Sequence, residues 1–186
     1  QVSLEQYRRR PETVQALLLL NGAHGKVLER SMGGKLAAKL LPLFIKGLGN
    51  FAPYITPLAF PPLKLFAHSR AALPVISGLG LVEGNPHAIP TALQSVLELD
   101  YSHYARLVAA AHAHDTEDML HTVKVPTLVT SGGRDIITTP AVGRHVAAGI
   151  PGAEYHEFPR GTHYTVMEFP DEVAQVVRDF MERRLK

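Results

Sequence analysis

Asp135 and His163 are the two side chains of this sequence best placed for proton chemistry. They stand 28 residues apart, the length of one strand–helix–strand unit. Each follows a short run read as a strand, Pro126–Ser131 for the aspartate and Glu154–Phe158 for the histidine. In an open parallel sheet, ligands bind outside the carboxyl ends of the strands, so both residues are expected on neighbouring loops of that edge. A carboxylate that accepts an imidazole N–H fixes the tautomer and supports the imidazolium formed when the other nitrogen takes a proton. A loop aspartate ahead of a helix is also a common cap or Asx-turn residue, and that reading stands beside the catalytic one.

The elements that must position this pair alternate. Gln1–Arg10 reads as a helix, with Val2, Leu4 and Tyr7 on one apolar side. Ala16–Leu20, stopped by Asn21-Gly22, reads as a strand buried on both faces. Strand 126–131, helix 140–149 with proline at its start, strand 154–158 and amphipathic helix 169–185 follow. Asp115 or Thr116 is a plausible cap for the turn after residue 114. This alternation predicts an α/β fold, part of a doubly wound parallel sheet. Residues 1–25 and 121–186 form its core. Between them, 26–120 is rich in Leu, Ala and Pro with helical spacing, including helices at 35–47, 90–99 and 101–114 and short proline-broken ones from 51 to 82. It is expected to be an inserted helical cap.

Composition narrows the function. The 186 residues are 46% hydrophobic and 19% charged, enough for a sizeable core. A net charge of +2 and the lack of basic runs interleaved with aromatics argue against nucleic acid. Without cysteine there is no disulfide or thiolate chemistry. The longest uncharged stretch, Gly47–Leu63, carries Pro53, Pro57, Pro61 and Pro62, which break a membrane-spanning helix. No secretory signal is read from the sequence, and a cytoplasmic location is the expectation.

The stretch VKVPTLVTSGGRDIITTP, followed by EFPRGTHYTVMEFPDEVAQVVRDFMERR, resembles the C-terminal part of an α/β-hydrolase with a helical cap. The shared pattern is a strand with P-T-L-V, then G-x-x-D and a nearby proline. A strand ending in a G-x-H loop and a helix opened by P-x-x-V complete it. QVSLEQYRRRPETVQALLLLNGAHG is similar to the helix behind that family's nucleophile, its R-x-P-E turn and the next strand. The resemblance implies Asp135 as acid and His163 as base, in the chain order nucleophile, acid, base. The G-x-S-x-G nucleophile turn is then expected upstream of Gln1. First strands and oxyanion-hole loop would lie there too, in a segment of roughly 90–100 residues. A serine nucleophile implies ester hydrolysis; an aspartate implies a dehalogenase or epoxide hydrolase. Lyase and cofactor-free oxygenase activities stay open. A non-catalytic binding or structural fragment is the alternative from another class.

Other candidates are weaker. Glu29-Arg-Ser-Met-Gly-Gly34 is similar to an S-x-G-G nucleophile turn, but Glu29 replaces its first glycine and no apolar strand leads directly into Ser31. Asn21 and His24, after the first strand, are candidates for lining the substrate pocket, as are Phe44 and Tyr54 of the cap. Phe51, Phe60 and Phe66 could join them in a lid. The apolar cap points to a small hydrophobic substrate. His112 and His114 would point to opposite sides of a helix, and His103, His121 and His145 have no ligand-like partner in sequence. Neither a metal nor a cofactor is expected. A three-stranded sheet leaves an edge to be covered, by a preceding segment or by a second chain in a homo-oligomer.

Overall fold

The computed structural model describes residues 1–25, 69–78 and 113–185, together with 40, 61–62, 65–66, 82–83, 95, 98, 107 and 110–111. Three parallel strands form its sheet: β1 (Leu17–Leu20), β2 (Thr127–Gly132) and β3 (Glu154–Phe158), in the order β1-β2-β3. Leu17 pairs with Thr127 and Leu20 with Thr130; Leu128 pairs with Glu154 and Gly132 with Phe158. This register brings the carboxyl ends of all three strands to one edge.

Only β2, the central strand, is buried along its whole length. Side chains alternate between faces along a strand, so burial of both Leu128 and Val129 means that both faces are covered. The expectation that β1 is buried on both faces is corrected. Leu17 and Leu19 are buried, whereas Leu18 and Leu20 are half-buried. Among the described residues β1 has a strand neighbour on one side only.

Helices α1 (Val2–Arg9), α2 (Ala72–Gly78), α3 (Pro140–Gly149), α4 (Thr165–Glu168) and α5 (Pro170–Arg184) accompany the sheet. Leu4 and Tyr7 of α1 join Leu17, Leu19 and Val129 in one core cluster with Val142 and Val146 of α3. Val2 does not share that face and is 85% exposed. At about 100° per residue it lies some 160° around the helix from Leu4. Val173 and Phe180 of α5 are buried, and Val176 and Val177 between them are half-buried, as the amphipathic pattern predicts. Pro140 and Pro170 each open a helix, where their missing N–H costs nothing. Thr116 holds the N-cap position of the turn Glu117–Thr122, and Asp115 Oδ1 just before it accepts the Glu117 N–H at 2.9 Å. Among the described residues no helix is long and apolar enough to cross a membrane.

Of the helices expected between 26 and 120, α2 falls within the proline-broken stretch. Leu107, Ala110, Ala111 and Ala113 are helical within the last one. Leu40, Pro61, Pro62, Leu65, Phe66 and Ser95 are helical too, whereas Ser31, Phe44, Phe51, Tyr54, Phe60, His103 and His112 lie outside the described residues.

Candidate functional site

Two loops meet at the carboxyl edge of β2 and β3. The Gly133 N–H donates to the Phe158 carbonyl at 2.8 Å and the Arg134 N–H to the Gly161 carbonyl at 2.8 Å. So close an approach excludes side chains. A Cβ on Gly132 would collide with the Gly161 carbonyl and lie 2.5 Å from that of Thr162. Gly132 and Gly133 therefore let one backbone ride on the other, and Gly161 leaves room for the Thr165 side chain.

This contact delivers the pair. His163 Nδ1 lies 3.0 Å from Asp135 Oδ2. The carboxylate is fully buried, while a third of the His163 side chain (34%) stays exposed. The ring is thus held at Nδ1 from inside while part of it stays open to solvent. The cap reading of Asp135 holds as well, because the two oxygens divide the work. Oδ1 accepts the backbone N–H groups of Ile137 and Thr138, each at 2.8 Å, and fixes the turn. Oδ2 faces the imidazole and lies 2.7 Å from the Thr138 hydroxyl.

Burial alone would raise the Asp135 pKa. Hydrogen bonds from His163 and Thr138, the imidazole charge and the Ile137 N–H outweigh it and hold the carboxyl below its ordinary value. A depressed folded-state pKa stabilises the fold above the unfolded value, about 3.9 for aspartate. That stability is lost as pH falls through the lower folded value. Acid unfolding of wild type and Asp135→Asn should therefore differ in slope below about pH 4, with the variant less pH-dependent. Equal slopes would deny the carboxylate this role.

Asn21 sits at the end of β1 with φ 48°, a left-handed conformation that asparagine tolerates better than most residues. It is buried, and its side chain is tied into the protein. Its Nδ2 lies 3.0 Å from the Thr162 carbonyl, 3.1 Å from Thr165 Oγ1 and 3.5 Å from Asp135 Oδ2. The Thr138 hydroxyl reaches the Asn21 carbonyl at 2.9 Å. Asn21 thus bolts the ends of all three strands together. The His24 side chain is fully buried, with Nε2 2.6 Å from Glu117 Oε2.

Four further residues of the site are missed by sequence reasoning: Thr138, Thr162, Thr165 and Glu168. Glu168 is buried and accepts from the Thr162 N–H at 2.9 Å, the Thr162 hydroxyl at 2.6 Å and the Glu83 N–H at 2.6 Å. The Glu83 carboxylate in turn pairs with Arg134 at 2.8 Å. The Val82–Glu83 segment is thereby fastened to both loops that carry the pair. Only the T-x-x-x-x-x-E spacing from Thr162 could have hinted at this, and it has no regular meaning outside a helix. Glu168→Gln would turn an amide NH2 toward an N–H donor on one side. It is expected to cost about 1–3 kcal/mol in urea unfolding. Unchanged stability would mean that this network is not tight in solution.

In sequence, 67 residues are 37% identical to the proline iminopeptidase of Lacticaseibacillus rhamnosus (strain Lc 705), covering 36% of this chain and 23% of that protein. Over 93 residues the chain is 28% identical to a pimeloyl-(acyl-carrier protein) methyl ester esterase of Neisseria meningitidis serogroup C, covering 50% and 32%. No family model matches. In structure, it superposes on a thermophilic esterase from Thermogutta terrifontis with TM-score 0.65 and 20% identity, over 98% of this chain and 61% of that one. The enol-lactonase from Burkholderia xenovorans LB400 gives TM-score 0.61 and 21% identity, over 96% and 60%. The parallel sheet with acid- and histidine-bearing loops is that of the α/β-hydrolase fold. The chain spans less than a third of each of these two curated relatives, and about three-fifths of the two structural neighbours.

Proposed function

We propose that this chain supplies the acid and base of an α/β-hydrolase that cleaves an ester of a small hydrophobic substrate. The observation that carries the reading is the 3.0 Å contact between buried Asp135 and part-exposed His163 at adjoining strand ends. The names of the relatives, an esterase and a lactonase among them, support ester chemistry.

In this reading the nucleophile belongs to a segment upstream of Gln1, as the order nucleophile, acid, base requires. His163 Nε2 takes the nucleophile's proton as it attacks the acyl carbon, and returns it to the departing alcohol. It then draws a proton from water as that water attacks the acyl-enzyme, and gives it to the nucleophile as the acid leaves. Asp135 holds the ring by Nδ1 and balances the imidazolium. Asn21, Thr138 and Glu168 position the loops without touching substrate. Residues 26–120 act as the cap over an apolar pocket. The open side of β1 is covered by the upstream segment or by a second chain.

The test is hydrolysis of p-nitrophenyl esters by the intact protein, followed by mass mapping of a fluorophosphonate label. Turnover of short-chain esters, with label on a residue outside this chain, is the expected result. No hydrolysis from acetate to octanoate would sink the proposal, and label on Ser31 would move the nucleophile into the helical insertion.

A further inference from the structure

A second cluster of reactive side chains gathers where the chain leaves the sheet after β1 and returns toward β2. Gly25 and Asp115 form an isolated antiparallel bridge there. The His24 carbonyl accepts both the Thr116 N–H at 3.0 Å and the Thr116 hydroxyl at 2.6 Å. These bonds lock His24 beside Glu117. The Glu117 carboxylate then reaches two imidazoles at once: Oε2 lies 2.6 Å from His24 Nε2, and Oε1 lies 2.7 Å from His145 Nε2 on α3. The two rings are 5.3 Å apart between centroids and tilted by 37°. One donor atom from each residue falls within 4.8 Å of the others. The sequence reading found no partner for His145; the fold provides two.

We propose that His24, Glu117 and His145 bind a divalent transition-metal ion of the zinc class, which pins both stems of the helical insertion to α3. Two imidazole nitrogens and one carboxylate are a donor set that such borderline ions favour over calcium or magnesium. His24 is the rigid anchor, with no exposed side-chain surface. Glu117 and His145, 41% and 48% exposed, leave an entry path and a solvent-facing fourth position. Metal–ligand bonds of about 2.0–2.1 Å in a tetrahedron set neighbouring donors about 3.3 Å apart. Each ring now meets a different carboxylate oxygen at 2.6–2.7 Å, so the carboxylate must swing back from between the rings to give an ion room. Glu117 can do so, because it opens a surface turn and has three side-chain torsions. The inference is independent of the hydrolase reading, since it concerns neither Asp135 nor His163.

The experiment is calorimetric titration of the chelator-treated intact protein with ZnCl2, with CoCl2 as a spectroscopic probe. The expected result is one saturable equivalent, visible d–d absorption typical of four-coordinate cobalt, and a rise in melting temperature with zinc. Glu117→Gln and His145→Ala, both at part-exposed positions that the fold tolerates, should each weaken binding at least about 10-fold and remove the cobalt spectrum. His163→Ala should retain the equivalent, which separates this site from the Asp135 pair. Absence of saturable binding, or equal affinity in wild type and both variants, would overturn the proposal and leave a hydrogen-bonded His–Glu–His bridge.

Discussion

Intact protein carrying His163→Ala is expected to hydrolyse an aryl ester about four powers of ten more slowly than wild type, and Asp135→Asn to lose a similar factor. The two losses have different origins. Without the ring, nothing takes the nucleophile's proton. Asparagine leaves the ring in place but can set an NH2 group against Nδ1, 3.0 Å away, where a carboxylate oxygen stood. The favoured tautomer then carries its proton on Nε2, and the base is unavailable. The amide oxygen can still accept the Ile137 and Thr138 N–H groups at the Oδ1 position, so the turn survives. Turnover number should therefore fall with little change in KM. The double variant should be no worse than the poorer single, because the groups act as a unit. Activity within tenfold of wild type in either variant, with the fold intact by circular dichroism, would remove that residue from the mechanism.

Gly132→Ala is expected to weaken both stability and activity, although the residue has no functional group. The new methyl meets the carbonyls of Gly161 and Thr162, which are backbone and cannot rotate away. Overpacking of this kind costs about 1–3 kcal/mol, to be read from urea unfolding. The strain is relieved most easily by pushing the loop after β3 outward, and that loop carries His163. A displacement near 1 Å costs about 100-fold in rate, so kcat/KM should drop by about that factor. Gly78→Ala is the control: a Cβ there meets nothing within 4 Å, and both measurements should stay at wild-type level. A Gly132→Ala enzyme as stable and active as wild type would mean that the loops do not touch as described.

The site was legible in part. Asp135 and His163 stand out because each follows a segment read as a strand and because their separation matches one strand–helix–strand unit, a relation set by the chain itself. Asn21 stands out for its place after a strand, but not for what it does. Its left-handed backbone and its hydrogen bonds to Thr162 and Thr165 depend on residues more than a hundred positions away. Glu168 lies in an acidic, helical neighbourhood and looks like a surface residue, yet it is buried beneath Thr162 and Glu83. Helix α1 makes the same point on a smaller scale. Its apolar residues suggested a stripe of three, and packing kept only Leu4 and Tyr7, because Val2 falls outside the arc that meets the core.

The sequence by itself determined the alternation of strands and helices, the parallel sheet and the two loop residues facing each other. Those follow from local periodicity, chain direction and the short reach of a βαβ connection. Tertiary structure alone decided that β2 and not β1 is enclosed on both faces. It also decided that Glu168 fastens Val82–Glu83 to the site, and that His24, Glu117 and His145 converge. A side chain's neighbours across the fold are set by how separate elements pack, and that packing leaves no fixed spacing along the chain.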